Sequence, residues 1–383
     1  MGAGHGHGVN EAEVRVSERT TSILGVAVGV VLFFTVFGAM QVWPTDFSYR
    51  GSLQSAPEGT RWVSITITEV AQDGSAMAVI NGDPAARELP VLTFGDPTLH
   101  LKVGDRARAM DMGDGTLGFS DFERGSPMLI LAILYVALVL VVARWRGLGA
   151  LVGLVAAFGI VIFFTVPALF GGGPPLLVAL VTGSGALAVL LYVAHGFNAR
   201  TTTAYLGTLA GLTITAVLAW WAVGASHLTG LWNEEGIHLE FWNRDVSLQG
   251  LVLCGIILAG LGVLNDVTVT QASAVWELRR ARPDLTWRGL FTAGMRIGRD
   301  HIASTVYTIA FAYVGAALPV IMIVAMYDAP LLQTLTAGDI AEEVVRTLVG
   351  SVGLVLAVPL TTVVGALVAA QDTAGSASVT MES

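Results

Sequence analysis

The chain reads as a polytopic α-helical membrane protein, with about eight transmembrane helices and a small extracytoplasmic all-β domain, an OB-like barrel, inserted after the first helix. Three observations predict this. Of 383 residues, 54% are hydrophobic and 13% charged, where a soluble domain averages roughly 25% charged, and the mean hydropathy is +0.70. Apolar runs recur at lengths matched to a hydrocarbon core of roughly 30 Å. Between the first and second runs, residues 50–122 switch to period-two alternation punctuated by Gly and Asp.

Residues 1–20 are a polar tail, expected in the cytoplasm. His5 and His7 have no further ligand type beside them, so the tail is read as solvated rather than metal-binding. Residues 21–43 hold the apolar run Ile23–Val42, which exceeds a signal-peptide core and lacks a clean small-x-small cleavage site, so it is expected to stay as an anchor helix. Gly25-x-x-x-Gly29 gives that helix a small face.

Residues 44–126 form the expected β domain. Strand patterns occur around Val63–Val70, Ser75–Ile80, Leu89–Leu92 and Leu99–Ala109, and turns are expected at Asp73-Gly74, Asn81-Gly82, Gly95-Asp96 and Asp114-Gly115. Lys102-Val-Gly-Asp105 looks like the strand-turn opening of an OB-like barrel. With 12 Asp and Glu against 7 Lys and Arg, this segment does not suit an oligonucleotide, and no nucleic-acid partner is expected. Much of the net charge of −9 originates here.

Residues 127–370 are expected to be a seven-helix domain, with apolar runs near 128–143, 148–170, 176–194, 204–224, 248–264 or beyond, 302–326 and 344–370, followed by a cytoplasmic tail over 371–383. Eleven arginines in the inner links and tail (Arg15 to Arg299) face only Arg244 and Arg346 on the outer side. By the positive-inside rule both termini are cytoplasmic and the β domain lies outside, in a bacterial cytoplasmic membrane. Cys254, alone in an apolar run, is expected to be a small core residue. Gly149-x-x-x-Gly153 and Gly207-x-x-x-Gly211 allow close helix packing, within one chain or between copies in a homo-oligomer.

The chemistry concentrates between Gly260 and Thr308. If the fifth long run continues as one helix, Asp266, Thr270, Ser273 and Glu277 share a face at i, i+4, i+7 and i+11. After an arginine-rich link, Glu277 to Arg299, the chain re-enters the membrane, and Asp300, Ser304 and Thr308 repeat at i+4. That link mixes Arg with Trp276, Trp287, Leu285, Leu290 and Phe291, which suits a loop or a helix lying on an anionic surface. Acids inside spanning helices usually face a cavity or a partner, so Asp266 and Asp300 are the candidates for a transport path, supported by Asn265, Thr270, Gln271, Ser304, Thr308 and Thr362. The alternative for Asp266 is a solvated site at the helix end, paired with an arginine such as Arg299. Pro319 and Pro359 each free a carbonyl one turn earlier, as interrupted helices do around midplane sites, although simple kinks are the more common outcome.

The run Ala259-Gly-Leu-Gly-Val-Leu-Asn-Asp266-Val-Thr-Val-Thr-Gln-Ala-Ser-Ala-Val-Trp-Glu277, with Gly294-Met-Arg-Ile-Gly-Arg-Asp300-His-Ile-Ala-Ser-Thr305, resembles the YibE/F family. So do Ala194-His-Gly-Phe-Asn-Ala-Arg200-Thr and Gly350-Ser-Val-Gly-Leu-Val-Leu-Ala-Val-Pro359. The resemblance spans roughly residues 125–370 and implies a multi-spanning architecture without a settled activity. Asn265 stands where related sequences often carry a second acid, which counts against a two-carboxylate site.

Three function classes follow. The first is a permease or channel-like transporter of a cation or small solute; no phosphate-binding loop is present, so uphill movement would use an ion gradient. The alternative is a receptor or scaffold whose outer β domain binds a ligand or cell-envelope partner. An intramembrane enzyme is not expected: His-Glu-x-x-His, Gly-x-Ser-x-Gly and paired aspartates are missing from the spans, and adjacent Asp300 and His301 point about 100° apart on a helix. Nothing calls for a cofactor or a resident metal, and Glu234, Glu235, His238 and Glu240 are read as a solvated outer turn.

Overall fold

The computed structural model describes residues 16–45, 47–51, 56–57, 59–72, 74–93, 99–231, 234–243, 246–326 and 330–371. The expected turn at Gly95-Asp96 and the tail histidines His5 and His7 lie outside the described residues, as does Asp73. The chain divides into two compact units, residues 47–144 and residues 1–46 with 145–383.

The larger unit is helical. It begins with α1 (Glu18–Gln41), capped by Ser17, whose hydroxyl accepts from the Thr20 amide. The second helix, α2 (Gly125–Ile160), breaks at Arg144, where φ is 53°, and its second half enters this unit. A π-helical turn, Val161–Thr165, passes into the short α3 (Val166–Phe170). Next come α4 (Pro175–His195), started by proline at its first position, and α5 (Ala199–Ala225). The turn between them explains one of the sequence signatures. Gly196 takes φ 74°, which ends α4, and Asn198 caps α5 by accepting from the Thr201 amide at 2.9 Å. A short helix, α6 (Glu234–Trp242), precedes α7 (Leu248–Ala281). The expected solvated turn around Glu234 and His238 is therefore helical, and among the described residues no three metal-ligand types converge.

The long run does continue as one helix: α7 is 34 residues, capped by Ser247. The Glu277–Arg299 link is shorter than its composition suggests. Only residues 282–286 separate α7 from α8 (Trp287–Ala316), because Arg279 is buried and donates to the carbonyls of Pro283 and Leu285 at 2.7 and 3.0 Å, while Thr286 caps α8. A fixed guanidinium satisfies a turn that would otherwise leave carbonyls unpaired. After α8 the chain bends by 67° into α9 (Leu318–Ala325), with Pro319 near its start, and α10 (Leu331–Leu335) leads to α11 (Gly338–Ala370), which passes through Pro359 without ending.

By length and composition, six helices among the described residues can cross a membrane, or seven if the bent α8–α9 pair is one span. The expected eight depends on dividing the 46-residue helical run Gly125–Phe170 at Arg144, since one span needs only about 20 residues.

The core is built by α11 against α5, α7 and α8. Small residues set the separation. A Cβ on Gly211 would meet Ala357 at 2.8 Å, Gly207 lies against Thr361, and Gly353 lies against Thr215. The Gly207/Gly211 spacing thus serves packing within the chain, and so does Gly149/Gly153, set against Val193 and Leu190. Gly25 and Gly29 face open space. Cys254 is buried in the main core with Ile256, Ile257, Leu212 and Tyr205.

The smaller unit holds a closed barrel in the order β1-β2-β3-β5-β4: β1 (Arg61–Val70), β2 (Ala76–Ile80), β3 (Glu88–Leu92), β4 (Arg106–Asp111) and β5 (Leu117–Phe122). Closure pairs β1 with β4 antiparallel and β3 with β5 parallel, as suits an OB-like barrel. Alternation places Ile65, Ile67, Ala76, Ala78, Ala107 and Ala109 inside. The expected strand at 99–109 starts only at Arg106. Before it, Asp105 accepts from the Lys102 amide at 2.8 Å and Gly104 adopts φ 92°, so the backbone turns where the alternation suggested a ladder.

Candidate functional site: the α7–α8 signature

The predicted residues separate into an inner and an outer set. Gln271 and Thr362 are inner. Gln271, 2% exposed, donates from Nε2 to the Gly294 carbonyl at 2.9 Å and to Thr362 Oγ1 at 2.8 Å, and Thr362 in turn donates to the Val358 carbonyl at 2.6 Å. One amide therefore ties α7 to both α8 and α11. Gly294 and Gly298 make room for it, since a Cβ on Gly298 would meet Val358 at 2.6 Å and Gln271 Oε1 at 3.1 Å.

Asp266, Thr270, Asp300, Ser304 and Thr308 are outer: all are exposed on the surface of the helical unit. Equal spacing showed that they share faces; it did not show which way those faces turn. The Asp266 side chain is 71% exposed, and its Oδ2 lies 3.8 Å from His301 Nε2 on α8. His301, rather than Arg299, is thus the group beside Asp266. Asn265 lies between the two sets. Its Oδ1 is buried and has no hydrogen-bond partner among the described residues. An orphaned buried acceptor is costly, and one beside an acid stands out.

The position along the helices is informative. Asp266 is 18 residues from the start of α7 and 15 from its end, roughly 27 Å and 22 Å at 1.5 Å per residue. Asp300 lies similarly near the middle of α8. Both acids are far from helix ends.

A model of the YibE/F-like protein family matches residues 131–371, the major part of the chain. The chain belongs to the YibE/F-like family. No curated protein and no solved structure matches it. The family match takes in α2 from residue 131 onward and everything from there to α11, and leaves out the barrel. Within this YibE/F-like region the sequence signatures now have distinct local tasks: capping at Gly196 and Asn198, close crossing at Gly353, bracing at Gln271 and Gly298, and an outward polar face at Asp266 and Asp300.

Sequence reasoning missed a second set of buried hydroxyls. Thr208 and Thr268 share a hydrogen bond of 2.5 Å across α5 and α7, and Ser184 bonds Thr35 at 2.7 Å and Tyr205 at 3.0 Å, joining α1, α4 and α5. Thr203 and Thr361 are fully buried with hydroxyl oxygens that have no partner among the described residues. Threonines scattered in apolar runs carry no spacing signal that separates an interhelical bond from a bond to the helix's own carbonyl.

The barrel has a concavity of its own, about 710 Å³, lined by Arg106, Arg108, Asp121, Glu123 and Arg124. Arg124 donates to Asp121 at 2.5 Å, and that hydrogen bond holds the Asp121 carboxyl below the usual carboxylate range.

Proposed function

We propose that this YibE/F-like chain is an integral protein of a bacterial cytoplasmic membrane and that it conducts a cation or small solute along the polar face of α7 and α8. It has eight spans, counting Gly125–Phe170 as two divided at Arg144; both termini are cytoplasmic and the barrel lies outside, on the strength of the arginine asymmetry. The observation that carries the transport reading is Asp266. It lies near the middle of a helix long and apolar enough to span, beside His301 and next to the orphaned Asn265 Oδ1. α7, with 34 residues, is longer than a hydrocarbon core of roughly 30 Å, and Asp266 lies just past the inner end of its apolar run 248–264, where a carboxylate serves the mouth of a path and an uncommitted carbonyl oxygen next to it is a ligand for a partly dehydrated cation. Thr270, Asp300, Ser304 and Thr308 extend the same face. Gln271 and Thr362 act from behind it, holding α7, α8 and α11 in register. The reading assigns no catalytic step, cofactor or resident metal to the chain.

Ion flux into liposomes, measured over a panel of monovalent and divalent cations, tests it. Asp266→Asn is expected to abolish flux while insertion and yield stay unchanged; undiminished flux would remove Asp266 from the path. The concavity on the barrel supports a second reading, a receptor or scaffold that takes a ligand between Arg106, Arg108 and Arg124. On that reading, changes to the spanning carboxylates are silent.

A further inference from the structure

We propose that the helical unit holds a zwitterionic phospholipid, one whose head carries a phosphate and a primary ammonium, in the cavity between the α8–α9 bend and the start of α11. The proposal rests on the membrane placement given above and not on the transport reading. The cavity has a volume of about 600 Å³, within the roughly 300–1,000 Å³ of small-molecule sites, which is room for a headgroup and the upper part of an acyl chain. Most of its wall is aliphatic: Val314 from α8, Val320 from α9, Leu335 from α10, and Val344 and Leu348 from α11. Val314, Leu335 and Leu348 are also exposed on the outside of the unit, so the rim of the cavity is presented to lipid.

This apolar wall carries one charged spot. Among the described residues that line it, Glu343 and Arg346 alone are charged; they pair at 2.8 Å, with side chains 25% and 29% exposed. A pair largely withdrawn from water is costly unless its remaining hydrogen-bonding groups find partners. Arg346 does not find them all in the chain. It gives Glu343 its Nη1 alone, and its Nε is buried without a partner among the described residues. The adjacent acid, Glu342, is engaged elsewhere, accepting from the Gly230 amide at 3.1 Å. With Nη1 taken, the guanidinium keeps its Nε–Nη2 edge, whose parallel N–H groups match two oxygens of a phosphate. Glu343 cancels the arginine's charge, so a purely anionic head meets a carboxylate beside its arginine, whereas a primary ammonium donates to that carboxylate. A head with both charges complements both groups; a quaternary ammonium, with no N–H, leaves the carboxylate without a donor. Tyr313, also lining the cavity, adds a phenol hydroxyl. Depth agrees with this occupant. Glu343 and Arg346 lie five and eight residues from the start of α11, roughly 8 and 12 Å at 1.5 Å per residue, which suits the boundary between headgroups and acyl chains.

The test uses the full-length protein, purified in detergent, stripped of lipid and titrated with dioleoyl phosphatidylethanolamine, phosphatidylcholine or phosphatidylglycerol, with retained lipid read by native mass spectrometry. One phosphatidylethanolamine is expected to be retained per chain, with an affinity at least about tenfold above that for the other two. Equal retention of the three, or a preference for phosphatidylcholine or phosphatidylglycerol, overturns the proposal. Arg346→Gln is expected to remove the preferred adduct, and Glu343→Gln to move the preference to phosphatidylglycerol; phosphatidylethanolamine held as tightly by Arg346→Gln as by the parent overturns the site. Should the charge variants fail to fold, Val314→Trp, which keeps both charges and narrows the cavity, is expected to weaken retention by about the same tenfold, and unchanged retention there overturns the site as well. Arg288→Gln, at the opposite end of α8, is expected to change nothing, and an equal loss in that variant counts against the cavity. Extraction of membranes with alkaline carbonate separates the two readings. A chain washed off the membrane removes the membrane placement, whereas a chain that stays and shows no lipid preference removes this inference alone.

Discussion

At the scale of the residue, the informative contrast is between Gln271 and Asp266, five positions apart on one helix. Both were legible in the sequence as polar residues in an apolar setting. Helical spacing groups residues by face, but only packing decides which face is inward, and here the amide turned in and the carboxylate turned out. Gln271 braces the interface, because its Nε2 donates both to Gly294 O on α8 and to Thr362 Oγ1 on α11. Losing those two bonds is expected to cost about 0.5–1.5 kcal/mol each. The glycines behind it give a sharper test. Gly298→Ala forces a methyl onto Val358 and Gln271, and overpacking of that kind costs about 1–3 kcal/mol, whereas Gly159→Ala enters open space and is expected to be neutral within about 0.5 kcal/mol. Thermal unfolding of the two variants in the same detergent checks the difference.

At the scale of the element, the sequence was most readable where local chemistry punctuates the chain. Pro319, read as an interruption or kink, marks the bend after α8, whereas the caps at Asn198, Ser247 and Thr286 emerge only from the structure. The sequence was least readable between Glu277 and Arg299. Arginines interleaved with tryptophans suited a loop and a surface helix alike, and most of that stretch is helix, because the buried Arg279 and the Arg282–Asp284 pair close the link within five residues. The pair makes a pH prediction. Hydrogen bonds from Arg282 lower the Asp284 carboxyl to about 2. A depressed carboxylate contributes its stabilisation above its unfolded value near 3.8 and loses it as the pH falls through about 2, so this turn is expected to be insensitive to pH from 5 to 8. Carbon-13 NMR of labelled aspartates should place the Asp284 midpoint near 2, and Arg282→Ala should raise it toward 3.8.

At the scale of the whole molecule, the two units differ in how openly the sequence declared them. Period-two alternation and Gly-Asp turns announced the barrel, and its closure supplied what alternation cannot, the parallel pairing of β3 with β5. The helical unit announced its apolar runs and their division between 143 and 148, but not that the division is a single non-helical residue, Arg144, since an arginine between two apolar runs is compatible with a loop, a kink or a continuous helix. The units also permit a functional separation. Replacing residues 50–122 with a short Gly-Ser linker is expected to leave cation flux in proteoliposomes intact if the path belongs to α7 and α8; loss of flux in that variant, with Asp266→Asn silent, would transfer the activity to the barrel.

The Gln271 brace bears on motion. One side chain joins α7, α8 and α11 through bonds that have no water to replace them, so separating any two of these helices would strand polar groups in an apolar interior. The three are therefore coupled as one lever. On the transport reading proposed above, a working cycle would displace that lever as a block, and Asp266 and Asp300 would keep their spacing while the surroundings they face are exchanged.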